Sequence, residues 1–315
     1  MNYEKSKMFL LLSVLTLVSC NLSQSVVAKP PQQQNLQTTP SSLPSQPNAS
    51  NLATPLSYKI ETYDSQVMGA NRTYGVSLPP DYEQNPKRSY PVIFLLHGGH
   101  GNATDWFVPN KGQALKTVKQ LYTTGKLPPS IIITPDGNDK RGSSPYRDPE
   151  YIDGPNGKVS TALGDELVKV VQSRYRTLKN PDFWAIGGLS SGGWGAVNGA
   201  VNVGLHNLNH FSVLFSHSGY FQDKSGPTNS PIIYIKTIPL QAQKRLRIYL
   251  DSGRSDIQEI EEAKQFTKVL NKLKIYYLFR EFPGSHTWQY WREHLIDSLT
   301  FVGEQFRFSE IRNGK

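Results

Sequence analysis

The segment 187–193, Gly-Gly-Leu-Ser-Ser-Gly-Gly, limits the possible folds more than any other stretch of the chain. A short apolar run, Phe183 to Ile186, precedes it and predicts a buried strand, and small residues at helical spacing follow from Trp194 to Val203. The spacing Gly188-x-Ser190-x-Gly192 at such a junction is typical of a nucleophile elbow, whose strained turn leaves no room for a flanking Cβ. Taken alone, the segment also fits a glycine-rich turn with a serine as helix cap.

The first residues of the chain, 1–19, are predicted to be a signal peptide. Lys5 and Lys7 precede an apolar run that is too short to span a membrane with ordinary flanks. The run ends in Leu-Val-Ser-Cys20, which resembles a bacterial lipobox, and Cys20 is the single cysteine of the protein. One cysteine excludes an internal disulfide and a cysteine-based metal cluster, so we expect lipidation of Cys20. Cleavage nearby without lipidation, as in an ordinary secreted protein, is the alternative.

Residues 20–56 are predicted to form a disordered tether between the lipidated cysteine and a domain at 57–315. Gln, Ser, Pro, Asn and Thr dominate this stretch, and such a composition buries too little apolar surface to offset its ordering entropy. The expected location is outside the cytoplasm, anchored by lipid to a bacterial membrane and facing the periplasm or the cell exterior. The net charge of +9 favours anionic surfaces. Nucleic-acid binding is not predicted, because no run of lysine or arginine alternates with stacking aromatic residues.

Apolar strands alternate with helical segments throughout the domain. The predicted strands are Tyr58–Tyr63, Arg72–Leu78, Tyr90–Leu96, Ile131–Thr134, Phe183–Ile186, Phe211–Phe215, Leu246–Leu250 and Ile275–Phe282. The predicted helices are Lys111–Thr124, Thr161–Tyr175, Trp194–Val203, Asp256–Leu273, which starts with the Asp256-x-x-Glu259 pattern of a capping box, and Thr287–Phe301. The alternation predicts an α/β domain with a mainly parallel sheet covered by helices on both faces.

A serine nucleophile needs a general base, and His286 is the predicted base. It follows the last predicted strand, at the edge of the sheet where the elbow should lie, and it completes the chain order Ser, Asp, His of α/β-hydrolases. A loop histidine that bonds a helix N-terminus is the alternative reading. Three other histidines are more simply surface or core residues: His206, His210 and His294.

The acid of the triad has two candidates after the strand at 246–250, Asp251 and Asp256. We favour Asp256, because a turn at Gly253 would bring the chain back over the sheet edge before that carboxylate. Asp256 also fits a helix cap, and Asp251 is either catalytic or holds the turn by binding backbone amides.

The oxyanion hole is predicted from two backbone N–H groups. One belongs to Ser191, the residue after the nucleophile, and the other to the loop His-Gly-Gly-His-Gly at 97–101, with Gly99 preferred and His100 second. A metal site at His97 and His100 is disfavoured, since no third ligand follows at a known spacing. No cofactor and no metal are predicted.

Three of these motifs together resemble an esterase family of α/β-hydrolases that is related to feruloyl, acetylxylan and enterochelin-type esterases, S-formylglutathione hydrolase and mycolyltransferases. They are Leu-Leu-His-Gly-Gly at 95–99, Gly-Leu-Ser-Ser-Gly-Gly at 188–193 and Gly-Ser-His-Thr-Trp at 284–288, and the similarity covers nearly the whole domain. The resemblance implies the α/β-hydrolase fold, with Ser190 as nucleophile, Asp256 as acid and His286 as base. It also implies that Gly99 and Ser191 form the oxyanion hole.

The predicted function is a serine carboxylic ester hydrolase that works through an acyl-enzyme on a small-molecule or carbohydrate-linked ester. The alternatives are an acyltransferase of the same fold and a non-catalytic surface-binding lipoprotein. Ser191 departs from the larger apolar residue of many members, so a more polar local pocket is expected. Substrate choice is expected from a long loop that carries Tyr146, Arg147, Asp148, Tyr151 and Asp153. The sequence predicts no oligomeric state.

Overall fold

The computed structural model describes residues 42–48, 50–146, 151–197, 209–222 and 226–314. The predicted signal peptide, Cys20 and the first part of the predicted tether lie outside these residues. So do Arg147, Asp148 and His206.

One eight-stranded sheet organises the described chain. Its strands are β1 Lys59–Ser65, β2 Ala70–Ser77, β3 Val92–Leu96, β4 Ile131–Pro135, β5 Trp184–Leu189, β6 Val213–His217, β7 Arg247–Gly253 and β8 Tyr276–Phe282. The spatial order is β1-β2-β4-β3-β5-β6-β7-β8. The β1–β2 and β2–β4 pairs are antiparallel, and the remaining pairs are parallel. The predicted mainly parallel sheet is therefore confirmed.

The side chains of β3 show why this sheet is covered on both faces. Ile93 and Leu95 pack into one apolar cluster, whereas Val92, Phe94 and Leu96 pack into the other. All five are fully buried, because successive residues of a strand point to opposite faces. Such a continuous apolar run is stable only in a strand that has helices on both sides.

Among the described residues, five longer helices supply the two outer layers. They are α1 Ala114–Thr123, α2 Leu167–Arg174, α3 Ser191–Val197, α4 Ile257–Leu273 and α5 Trp288–Asn313. Helices α1 and α5 contribute to the cluster of Ile93, and α2, α3 and α4 contribute to the cluster of Phe94. Shorter elements are the helical turns Val159–Thr161, Ala162–Glu166 of π type, Pro181–Phe183, Pro227–Asn229, Pro231–Tyr234 and Leu240–Arg245, and the hairpin Asp153–Gly154 with Gly157–Lys158. Among the described residues, no helix combines the length and apolar character needed to cross a bilayer.

Several element boundaries differ from the sequence predictions. The last helix continues to Asn313, well past the predicted Phe301, because Val302, Phe306 and Ser309 still face the core. The predicted helix at 161–175 is interrupted by the π turn Ala162–Glu166. The segment 225–239 contains short helical turns, whereas the sequence predicted no regular structure there. Helix α3, predicted for 194–203, is described only as far as Val197.

Part of the predicted tether contacts the domain. The N–H of Leu43 donates to Oε1 of Glu310 at 2.7 Å, and Leu43, Leu52 and Leu56 pack against the cluster of Ile93. These contacts concern only the described residues before 57, and the tether at 20–56 stays a prediction.

Candidate active site

The register of the sheet brings the ends of four strands together. Leu96 of β3 pairs with Gly188 of β5, Leu189 pairs with His217 of β6, and His217 pairs with Asp251 of β7. The carboxyl ends of parallel strands lie at one edge of a sheet, where such folds place their ligands. The loops that follow these strands therefore meet at one place.

Ser190 occupies a one-residue turn between β5 and α3. Its φ of 51° lies in the left-handed region, which costs a residue with a Cβ of the order of 1–2 kcal/mol. The turn is held by two hydrogen bonds: the N–H of Ser190 donates to the carbonyl oxygen of His217 at 2.9 Å, and the N–H of Trp194 donates to the carbonyl oxygen of Ser190 at 2.8 Å. The strained serine predicted for a nucleophile elbow is present.

The glycines around Ser190 are needed for close packing. A Cβ at Gly188 would lie 2.5 Å from the carbonyl oxygen of Leu96, and one at Gly192 would lie equally close to it. In both cases the atom is part of the β3 backbone, which is fixed by the close packing of the core. A Cβ at Gly98 would come within 3.3 Å of the Cβ of Ser190. The loop after β3 thus passes directly beside the serine.

His286 connects Ser190 to Asp256. Its Nε2 lies 2.9 Å from Oγ of Ser190, and its Nδ1 lies 2.8 Å from Oδ2 of Asp256. The histidine side chain is 38% exposed, whereas the aspartate side chain is 6% exposed. The rings of His286 and Trp291 are nearly perpendicular, with ring centroids 4.9 Å apart. The three residues predicted as nucleophile, base and acid are brought together in the geometry of a catalytic triad.

The charge of Asp256 is stabilised by its neighbours. Burial opposes the charged form, but hydrogen bonds with His286, Glu259 and Ser218 outweigh burial and lower the pKa of Asp256. Asp256 is the N-cap residue of α4, yet its side chain makes no capping hydrogen bond. The predicted capping box is therefore wrong, because the carboxylate is turned toward His286.

Asp251, the alternative acid, is used elsewhere. Its Oδ2 lies 2.8 Å from Nδ1 of His217, and its Oδ1 accepts a hydrogen bond from the hydroxyl of Tyr290 at 3.0 Å. Nε2 of His217 lies 2.9 Å from Oγ of Ser298. Both Asp251 and His217 are fully buried, so this pair cannot reach a substrate. Of the two candidates, the structure places Asp256 and not Asp251 against His286.

The predicted oxyanion donors lie on either side of the elbow. Ser191 is the first residue of α3, and first-turn N–H groups lack acceptors within their own helix. Gly99 follows Gly98, the residue that passes beside Ser190, and is half-buried. His100, the second choice, is exposed with a φ of 61°, and its Nδ1 lies 2.5 Å from the carbonyl oxygen of Ser144.

The other histidines that the structure describes make contacts apart from the triad. Nδ1 of His97 lies 2.8 Å from the carbonyl oxygen of Gly98, and its Nε2 accepts the N–H of Gly137 at 2.9 Å. With both nitrogens occupied, His97 has no atom left for a metal. His294 stacks on Phe282 and pairs with Asp297, and burial lowers the pKa of His210.

Only one set of three candidate metal ligands was found within the described residues, namely Asp256, Glu259 and His286. The nitrogen of His286 that faces Asp256 is already hydrogen-bonded to that carboxylate. The set is therefore better described as part of the triad than as a metal centre.

The long loop expected to select substrate is partly structural. Tyr151 is fully buried with a φ of 42°, and its hydroxyl donates to the carbonyl oxygen of His97 at 2.7 Å. The carboxylate of Asp153 accepts the N–H of Thr161 at 3.0 Å. Tyr146 is 91% exposed. The expectation is thus wrong for Tyr151, whose side chain is buried, and is left open for Asp153 and Tyr146, which are both exposed.

Ser191 also differs from expectation. Its side chain is fully buried, and its Oγ has no hydrogen-bond partner among the described residues. A buried hydroxyl does not line an open pocket, so the predicted more polar pocket is wrong.

Sequence reasoning missed three residues that support the triad: Ser218, Glu259 and Trp291. Ser218 and Glu259 help to lower the pKa of Asp256, and the indole N–H of Trp291 donates to Oγ of Ser218 at 3.2 Å. Ser218 follows β6, so the rule that parallel strands end at one edge could have found it. Glu259 lies near Asp256 only because of the rotamer that Asp256 adopts, and no sequence pattern predicts that rotamer.

A sheet of this order, with a serine elbow and a histidine after the last strand, defines an α/β-hydrolase fold. Solved structures agree. A ferulic acid esterase superposes with a TM-score of 0.70 at 24% identity, covering 80% of this chain and 98% of that one. A fluorophosphonate-binding serine hydrolase of Staphylococcus aureus gives a TM-score of 0.64 at 17% identity, covering 79% and 99%. At these identities the similarity establishes the fold.

The family model described as "Putative esterase" matches residues 65–302. The chain belongs to this esterase family.

Curated relatives cover different parts of the chain. An acetyl esterase of Caldicellulosiruptor saccharolyticus is 22% identical over 271 residues, which are 76% of this chain and 96% of that protein. An esterase of Mycobacterium tuberculosis is 32% identical over 162 residues, which are 50% of this chain and 31% of that protein. An uncharacterized protein of Corynebacterium glutamicum is matched over 26% of its length. The chain thus spans about a third or less of the length of the Mycobacterium tuberculosis and Corynebacterium glutamicum relatives.

Proposed function

We propose that this protein is a serine carboxylesterase that works through an acyl-enzyme with Ser190, His286 and Asp256 as its triad. The observation that carries the proposal is the continuous chain of contacts from Oγ of Ser190 to Nε2 of His286 at 2.9 Å, and from Nδ1 of His286 to Asp256 at 2.8 Å. Membership of the esterase family supports the reaction class.

Acylation begins when Oγ of Ser190 attacks the ester carbonyl carbon while Nε2 of His286 takes the hydroxyl proton. Asp256 stabilises the imidazolium, and its lowered pKa keeps it charged for that task. The backbone N–H groups of Ser191 and Gly99 stabilise the oxyanion of the tetrahedral intermediate. His286 then donates the proton to the leaving alcohol, and the acyl group remains on Ser190.

Deacylation repeats these steps with water. His286 removes a proton from the water that attacks the acyl carbon, and the same N–H groups stabilise the second oxyanion. Water reaches His286 readily, because its side chain is 38% exposed. Collapse of the intermediate releases the carboxylic acid and returns the proton to Ser190.

The test is hydrolysis of p-nitrophenyl acetate by the full-length chain and by Ser190→Ala. We expect the substitution to lower kcat by at least about four orders of magnitude, and a fluorophosphonate probe to label the parent but not the variant. Ser173→Ala is the matched control, because its hydroxyl bonds the carbonyl of Val170 on the exposed surface of α2. Equal activity of Ser190→Ala and the parent would disprove the assignment.

We also propose that the chain is exported and anchored by a lipid on Cys20. The support is the sequence of residues 1–20, with its two lysines, apolar run and lipobox-like ending. The test is fractionation of bacteria that express the full-length chain or Cys20→Ser. The parent should be found with membranes and carry the mass of a lipid on its N-terminal peptide, and the variant should have neither property. An unmodified Cys20 in the parent would disprove the anchor.

A further inference from the structure

Glu259 lies beside the triad but has no part in the steps described above. It is half-buried in the first turn of α4, three residues after Asp256. Oxygen atoms of Asp256 and Glu259 and a ring nitrogen of His286 all lie within 4.8 Å of one another. Two ionised carboxylates so close together repel each other, so the pair favours a state in which one of them holds a proton. A hydrogen bond between the two groups needs that proton, because ionised carboxylates are acceptors only.

The start of α4 explains why Glu259 faces Asp256. In a capping box, a glutamate at this position accepts the N–H of the N-cap residue. Here the N–H of Asp256 already donates to the carbonyl oxygen of Gly253 at 2.9 Å. Glu259 is therefore free to turn toward the Asp256 carboxylate.

The proton of this pair belongs to Glu259. Nδ1 of His286 lies 2.8 Å from Oδ2 of Asp256, and this contact favours the charged form of Asp256. Burial, together with the hydrogen bond to Asp256 and its negative charge, raises the pKa of Glu259 to about 7. Below neutral pH, Glu259 is thus the protonated partner and Asp256 the charged one.

The titratable groups around Glu259 come from several elements of the fold. Asp256 belongs to its own helix, and His286 comes from the loop after β8. Behind Asp256 lies Tyr290 of α5, which stays neutral because burial raises its pKa. Asp251 of β7 lies against Tyr290 and is paired with His217 of β6.

We propose that Glu259 is a positioning residue of the triad: its protonated carboxyl donates a hydrogen bond that holds Asp256 against His286, and its ionisation couples the triad to pH. The inference deepens the proposed function and rests on it. When Glu259 loses its proton, the hydrogen bond disappears and two negative charges face each other. The second charge also favours the protonated form of His286, which cannot act as a base.

Two substitutions of the full-length chain separate the hydrogen bond from the charge. Glu259→Gln keeps a donor toward Asp256 and cannot ionise, whereas Glu259→Ala removes both. Glu261→Gln is the matched control, because Glu261 lies in the same helix but pairs with Lys264 at 3.1 Å on the exposed surface.

Titration of the His286 ring by NMR needs no substrate, and it should move to a lower pH midpoint in Glu259→Gln than in the parent and the control. At pH 6, kcat on p-nitrophenyl acetate should stay within about twofold of the parent in Glu259→Gln and fall about tenfold in Glu259→Ala, with KM unchanged.

Two results would overturn the inference. One is a His286 titration that is identical in the parent and in Glu259→Gln. The other is an equal kcat for Glu259→Gln and Glu259→Ala, which would mean that the donor has no effect. Failure of the proposed function is seen separately, as full activity of Ser190→Ala, and the NMR titration still tests Glu259 in that case.

Discussion

The carboxylate of Asp251 lies 2.8 Å from Nδ1 of His217, and both side chains are completely buried next to the serine elbow. Together with Ser298, 2.9 Å from Nε2 of the same histidine, they repeat the order of a serine–histidine–aspartate triad inside the core. The carbonyl oxygen of His217 accepts the N–H of Ser190. The buried pair therefore holds the strand ends on which the elbow rests.

Substitution of the two aspartates should separate folding from catalysis. Asp251→Asn removes a buried charge from His217, and loss of one partner of a buried pair costs about 3 kcal/mol or more. We expect a lower urea midpoint with kcat per folded molecule close to that of the parent. Asp256→Asn should instead keep most of its stability and lose about 10⁴-fold in kcat, because His286 is no longer oriented and stabilised. The opposite pattern would make Asp251 the acid of the triad.

The strain at Ser190 gives a second prediction. Ser190→Ala and Ser190→Gly both remove the nucleophile, but only glycine accepts a φ of 51° without a steric cost. We expect both variants to be inactive and the glycine variant to be more stable than the alanine variant by about 1 kcal/mol. Urea unfolding of the two proteins measures the difference. Equal stabilities would show that the turn relaxes when the hydroxyl is absent.

The fold and the order of the triad were predictable from local patterns. The apolar run of β3 is needed because both of its faces are buried, and the glycines around Ser190 are needed because a Cβ would collide with the backbone there. The choice between Asp251 and Asp256 was not settled by sequence, because both follow the same strand. It depends on the turn at Gly253 and on the direction of the Asp256 side chain, which are properties of the assembled site.

Other expectations failed because a residue type does not reveal its environment. Tyr151 sits in a polar loop and looks like a surface residue, yet its ring fills the space beside Gly137 and Gly195. Asp256 matches the N-cap of a capping box, but its side chain contacts His286 instead of capping the helix. In both cases a long-range contact overrides the local signal.

Tyr151→Phe tests whether this tyrosine holds the loop of the proposed oxyanion hole. The phenylalanine ring keeps the packing, but the carbonyl oxygen of His97 loses its hydrogen bond from the tyrosine hydroxyl, which is 2.7 Å long. An unsatisfied buried carbonyl costs about 1–3 kcal/mol. We expect a lower melting temperature and a fall in kcat with little change in KM, since the loop contacts the transition state more than the bound ester. A KM effect alone would instead place Tyr151 in substrate binding.

The raised pKa of Glu259 predicts a pH dependence of stability. A carboxyl group whose pKa is about 7 in the folded protein and 4.5 ordinarily binds its proton more tightly when folded. Its contribution to stability is therefore complete below pH 4.5 and is lost as the pH rises toward and through about 7. Asp256 behaves in the opposite way, because its pKa is lowered and its contribution is lost only in acid. Glu259→Gln cannot ionise. The urea midpoint of this variant minus that of the parent should therefore be larger at pH 8 than at pH 5. Glu261→Gln should follow the parent at both values, and a constant difference between Glu259→Gln and the parent across this range would mean that Glu259 titrates as an ordinary surface carboxylate.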